Sequence, residues 1–274
     1  MPEILYNALM QKPSKKSTSK KLIVANWKMN PLKGSEAKKM FLGISKIANN
    51  LKNVETVICP PLVYLESLGQ LVENRSCVLG AQDAFWEHSG AYTGQVSPDM
   101  VFNTKARYVI VGHSERRAMG ETDEMVNKKI KSILQFPLIP IVCVGENTRD
   151  EDGLYIKDLK IQIRRSLAGL TPFELSRVVI AYEPVWAIGA KAKGVCTPAE
   201  CREIVQVIQQ VAADLSESAD HARRITILYG GSVDITNAEG FLENGSVQGL
   251  LIGRASLDPK AFTQILKIAE KASK

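Results

Sequence analysis

Ala181-Tyr182-Glu183-Pro184-Val185-Trp186-Ala187-Ile188-Gly189 is the stretch on which the reading turns. An apolar run, Arg177 to Ile180, leads into it, and the spacing predicts a buried strand over Arg177–Tyr182. That strand ends on the carboxylate of Glu183. A carboxylate at the end of a buried strand is costly unless it has a partner or a task. Pro184 stops the strand, because it has no N–H to give to a ladder. A loop rich in Gly and Ala then runs to Thr197-Pro198, where a helical pattern begins. A candidate base on a rigid strand end, beside a loop, is a common active-site arrangement.

The same order of strand, loop and helix recurs along the whole chain. Strands are expected at Leu22–Asn26, Val54–Cys59, Cys77–Ala81, Tyr108–Val111, Leu138–Val144, Ile225–Tyr229 and Val247–Ile252. Between them apolar residues repeat at helical spacing, as in Ala37, Met40, Phe41, Ile44, Ile47, Ala48 and Leu51. Thr171-Pro172-Phe173-Glu174 and Thr197-Pro198-Ala199-Glu200 read as capping boxes with Pro at the first helical position. Strands rich in Val and Ile, without alternation, have both faces covered. Eight such units in one α/β domain over residues 21–274 predict a closed (β/α)8 TIM barrel. An open doubly wound sheet is the weaker reading, since no G-x-G-x-x-G follows the first strand.

Composition narrows the function. The formal charge is +6, but residues 1–21 hold five Lys and one Glu, so +4 of it lies in that basic segment. The rest is close to neutral, which argues against nucleic acid as a partner. Residues 1–20 read as a polar extension without order. No apolar run approaches the roughly 18 residues that span a membrane. The five Cys form no C-x-x-C pair and no metal-spaced cluster with the three His, which fits reduced thiols in a cytoplasmic protein.

In such a barrel the chemistry lies at the C-terminal ends of the strands. There the sequence places Asn26 and Lys28, then His113 with Glu115, Cys143, Glu183, Gly230-Gly231-Ser232 and Gly253-Arg254. Two small-residue turns on the last two strands match a phosphate cradle of backbone N–H groups. His113 precedes a segment able to open a helix, and a helix N-terminus disfavours imidazolium. A carboxylate base, a neutral His donor, a lysine and an anion cradle point to proton abstraction beside a carbonyl. That chemistry needs no metal and no organic cofactor.

Asn26-Trp27-Lys28-Met29-Asn30, Gly112-His113-Ser114-Glu115-Arg116-Arg117, the Glu183 stretch and Tyr229-Gly230-Gly231-Ser232-Val233 resemble, in order and spacing, the signature blocks of the triosephosphate isomerase family. The resemblance runs from about residue 22 to the end of the chain. It implies a cofactor-free enzyme that interconverts dihydroxyacetone phosphate and glyceraldehyde 3-phosphate. By that resemblance Glu183 is the base, His113 the neutral electrophile, and Lys28 and Asn26 hold the substrate. Glu115 and Cys143 support them, and backbone N–H groups of Gly189, Ser232 and Gly253 bind phosphate beneath a closing lid. It also implies a homodimer, in which the loop carrying Thr93 inserts beside Met29 and Asn26 of the other subunit.

Three departures stand out. Arg254 replaces a usual glycine and so joins the phosphate-binding set. An outward side chain, the favoured arrangement, leaves the phosphate to backbone N–H groups, and an inward one adds a charged contact. The lid, Gly189 to Thr197, is two residues longer than usual. Gln95 stands where a Glu normally pairs with the arginine matching Arg116 across the dimer. Two alternatives remain at this point: an isomerase of a longer sugar phosphate, such as a tetrulose phosphate, and an inactive relative kept for binding.

Overall fold

The computed structural model describes residues 20–73, 76–150, 152–189, 192, 194–218 and 225–273. The expected disorder of residues 1–20 therefore falls, but for Lys20, outside the described residues. Part of the longer lid does too.

Eight parallel strands close into one barrel in sequence order. They are β1 (Lys21–Asn26), β2 (Val54–Cys59), β3 (Cys77–Ala81), β4 (Ala106–Val111), β5 (Ile139–Val144), β6 (Val179–Tyr182), β7 (Thr226–Tyr229) and β8 (Gly249–Ile252). The ring closes where β8 pairs with β1, Leu22 opposite Gly249 and Ala25 opposite Ile252.

Ten helices wrap it: α1 (Gly34–Ala48), α2 (Leu62–Gly69), α3 (Pro98–Asn103), α4 (Ser114–Ala118), α5 (Asp123–Ile133), α6 (Leu154–Ser166), α7 (Pro172–Leu175), α8 (Pro198–Ser216), α9 (Ala238–Asn244) and α10 (Pro259–Lys271), counted among the described residues. Both expected capping boxes form, at Thr171 and Thr197.

Side chains on a strand alternate between faces, and the core divides accordingly. Leu22, Val24, Val57, Cys59, Ile110, Ile141, Cys143, Val179, Ala181 and Leu228 fill the inside of the barrel. Ile23, Ala25, Ile58, Val109, Val142, Ile180 and Tyr182 face outward and pack in the layer shared with the helices. The same alternation, carried past the strand ends, aims Glu183 and Asn26 into the mouth, in step with Ala181 and Val24.

Six of the eight strand starts shift by one or two residues from the sequence expectation. Strand β6 starts at Val179 rather than Arg177. Arg177 instead donates to the carbonyls of Leu134, Phe136 and Leu138, closing the far end of the barrel. Helix α9 starts only at Ala238. The Asp234 carboxylate takes the Thr236 N–H at 2.8 Å and its hydroxyl at 2.6 Å, which holds a turn before the helix. Among the described residues no helix is long and apolar enough to cross a membrane.

Candidate active site

Glu183 is buried to 2% exposure just beyond β6. Its N–H bonds to the Val144 carbonyl at 2.8 Å, which fixes the backbone against β5. Two glycines make room for it. A Cβ on Gly145 would overlap the Glu183 carbonyl oxygen at 1.7 Å, and one on Gly230 would press its Cγ at 3.1 Å. Only glycine allows backbones this close.

The carboxylate is fully engaged. One oxygen accepts the Ser114 N–H at 2.8 Å, and the other faces His113 Nε2 at 3.1 Å. His113 caps α4, where its Nδ1 accepts the Glu115 N–H at 3.2 Å. A ring nitrogen that accepts cannot carry the proton, so the hydrogen-bond pattern assigns it to Nε2, which donates to Glu183. The backbone N–H of Glu115 thus selects the tautomer with the proton on Nε2.

Lys28 holds a left-handed backbone, φ 53°, which is costly for a residue with a side chain. Its surroundings hold it there. Its N–H donates to Asn26 Oδ1 at 3.0 Å, and its carbonyl accepts Gln82 Nε2 at 2.7 Å. Gln82 also donates to the Cys59 carbonyl at 2.9 Å. The Lys28 ammonium pairs with Glu115 at 2.6 Å.

Asn26, Lys28, His113, Glu183, Gly189, Ser232, Gly253 and Arg254 all line one cavity of about 560 Å³. The turn at Ser232 is folded by Asn237, which donates to the Ser232 carbonyl at 3.0 Å. Since α9 begins only at Ala238, Ser232 stands six residues before it, in the turn rather than at a helix N-terminus. The turn after β8 does lead into a single 3-10 turn, Arg254–Leu257. Met29 and Thr93 do not line this cavity. Met29 lies 85% exposed in a neighbouring hollow of about 430 Å³, with Asn26, Asp83, Arg116 and Met119.

Cys143 is buried inside the barrel below Glu183. Burial, and then the negative charge of Glu183, push its thiol well above the usual range, so it stays protonated beside Glu183.

Several braces carried no sequence signal. Arg117 Nε donates to the Gly112 carbonyl at 2.8 Å, and its Nη1 pairs with Asp123 at 2.6 Å. Together these fix the bend that aims His113. Lys129, almost fully buried, bonds Asp83 at 2.7 Å and pairs also with Glu121, whose other oxygen takes the Gly112 N–H at 3.1 Å. Arg116 pairs with Asp83 at 2.8 Å in its own chain. On the lid side, Glu146 accepts the Tyr182 hydroxyl and Trp186 Nε1, each at 2.8 Å. Of the lid's Gly189–Thr197 span, residues 190, 191 and 193 lie outside the described residues.

The family model for triosephosphate isomerase matches residues 21–269. A triosephosphate isomerase of Dictyoglomus turgidum is 38% identical over 252 residues, which is 90% of this chain and 99% of that one. That of Caldanaerobacter subterraneus subsp. tengcongensis is 41% identical over 247 residues, 89% of this chain and 98% of its own. That of Roseiflexus castenholzii is 39% identical over 247 residues, 89% and 96% of the two chains. With a match spanning the whole barrel and nearly the full length of each of these relatives, the chain belongs to the triosephosphate isomerase family.

Proposed function

We propose that this chain interconverts dihydroxyacetone phosphate and glyceraldehyde 3-phosphate by proton transfer through an enediolate, with no cofactor. The observation that supports it best is the meeting of Glu183 and His113 Nε2 at 3.1 Å in the barrel mouth, with Lys28 lining the same cavity. Glu183 would take a proton from the carbon beside the carbonyl. The electron pair would move into a carbon–carbon double bond, and the carbonyl oxygen would gain negative charge. The Nε2–H of His113 and the Lys28 ammonium would stabilise that oxygen, which strengthens binding as charge develops. The hydroxyl proton of the enediolate would pass from one oxygen to the other, and Glu183 would return its proton to the neighbouring carbon, so nothing is gained or lost.

In the structure both Glu183 oxygens are engaged. Substrate must therefore compete with Ser114 and His113 for the base. Asn26 would act by holding the strained Lys28 backbone. Gly189, Ser232 and Gly253 would offer backbone N–H groups to the phosphate. The relatives favour this reading over a longer-sugar isomerase or an inactive binder, since each carries the name triosephosphate isomerase. A coupled assay with purified protein tests it. Turnover in both directions, with solvent deuterium entering the substrate carbon, is the expected result, and no detectable turnover overturns it.

We further propose a cytoplasmic homodimer that binds neither nucleic acid nor membranes. The hollow holding Met29, Arg116 and Met119 would receive the partner's Thr93 loop. Gln95 offers no charge to Arg116, yet Arg116 is not left unpaired, because Asp83 holds it at 2.8 Å. Gln95→Glu should therefore tighten the dimer little or not at all, within the roughly 0–1 kcal/mol of an exposed ion pair. Sedimentation equilibrium reads this directly. A clear weakening of the dimer would show that the loop packs elsewhere.

A further inference from the structure

The cavity holds two cations, and they differ in one respect. Lys28 has a carboxylate partner, Glu115 at 2.6 Å. Arg254 lines the same wall, is exposed, and has no ion-pair partner among the described residues.

The carboxylates that share the cavity are committed locally. Glu183 is held by Ser114 and His113. Asp234 accepts two bonds from Thr236, which hold its carboxyl below the usual range. Asp258 accepts the Lys260 N–H at 2.9 Å at the start of α10. The residue before Arg254 borders the reacting groups, since a Cβ on Gly253 would lie 3.3 Å from Lys28 Cε. An uncompensated guanidinium thus stands one residue from a backbone N–H proposed for phosphate.

We propose that Arg254 is a phosphate-binding residue, whose guanidinium adds a side-chain charge to the backbone cradle and sets affinity for the phosphate monoester dianion. The proposal rests on the triose phosphate reading and deepens it. It replaces the outward side chain favoured by sequence with one that reaches the ligand. A guanidinium can give a phosphate two parallel N–H bonds, which a backbone cradle alone does not supply. The phosphate is unchanged by the reaction, so its bond to Arg254 is the same in substrate and transition state. Such uniform binding lowers KM and leaves kcat alone.

The test compares wild type with Arg254→Gln, which keeps bulk without charge, Arg254→Gly, which restores the usual residue, and Arg254→Lys. Inorganic phosphate is the probe. For the Gln and Gly variants KM for glyceraldehyde 3-phosphate and the inhibition constant of phosphate should both rise about tenfold, the lower range for a charged hydrogen bond because the site is open to solvent. Their kcat should stay within about twofold. Arg254→Lys should recover part of the loss.

The rise in melting temperature that phosphate gives wild type should shrink in both neutral variants, which reads binding without turnover. If KM, inhibition and the thermal shift all match wild type, the proposal is overturned. A fall in kcat without a change in phosphate affinity overturns it as well, since that marks a structural role. A wild-type enzyme without turnover would overturn the reaction instead, and the phosphate-dependent thermal shift would still decide Arg254.

Discussion

Glu183→Gln should lose about 10²–10⁴-fold or more of turnover, the range for removing a general base. The amide keeps the shape of the carboxylate and cannot accept a proton from carbon. The barrel should still fold. Glu183 is buried, and among the described residues its side chain pairs with no lysine or arginine, only with His113 Nε2 at 3.1 Å. An amide oxygen can still accept the Ser114 N–H. The amide nitrogen, however, would face the Nε2–H of His113, donor against donor. His113 cannot escape by moving its proton to Nδ1, because that atom already accepts from Glu115. The variant should therefore be about 1 kcal/mol less stable, the worth of one hydrogen bond. Steady-state kinetics with a thermal melt check both halves. Retention of more than half of wild-type kcat would show that another group abstracts the proton.

The second large effect belongs to His113→Gln. Removing a fixed donor from a site of developing negative charge costs about 10²–10³-fold in rate. Gln can still donate one bond from its amide, so a loss of about 10²-fold is expected. The substitution also removes the acceptor that caps α4, a cost of about 1 kcal/mol in stability. Its kcat should fall much more than KM rises, because the lost bond strengthens only as charge develops. Nitrogen NMR of the resting wild-type enzyme gives an independent check. Nδ1 should resonate as a bare, accepting nitrogen and Nε2 as the protonated one. A proton on Nδ1 would contradict the assignment made from the Glu115 contact.

Asp83 shows how far the two kinds of reading diverge. In the sequence, Gln82-Asp83 directly follows the strand expected at Cys77–Ala81, and nothing marks Asp83 as the hub of Lys129 and Arg116. Those partners lie 46 and 33 positions away, on other units of the barrel. Gln82 is a similar case. It steadies Lys28 across 54 positions, and neither residue signals the other. Comparison of single positions tells only that Gln95 stands where a Glu usually pairs with the arginine matching Arg116. The structure supplies Asp83 within the same chain, so the loss of one counter-ion is offset by another.

The sequence by itself determined the number and order of the strands, the capped starts of α7 and α8, and which residues stand at the strand ends. These follow from local rules: a two-residue period on strands, a 3.6-residue period on helices, and caps that act over three positions. Even the inward aim of Glu183 and Asn26 follows from strand alternation once the barrel is accepted. The tertiary structure alone decided what each side chain touches. It set the tautomer of His113, the double hold on Glu183, the bracing of Gly112 by Arg117, and the absence of a counter-ion for Arg254 among the described residues. Ser114 and Glu183 lie beyond separate strands, 69 positions apart, and meet only when the barrel forms, while the His113–Glu115 and Gly112–Arg117 contacts are near in sequence and depend on the bend that follows β4. A hydrogen bond depends on distances and angles, which no local period encodes.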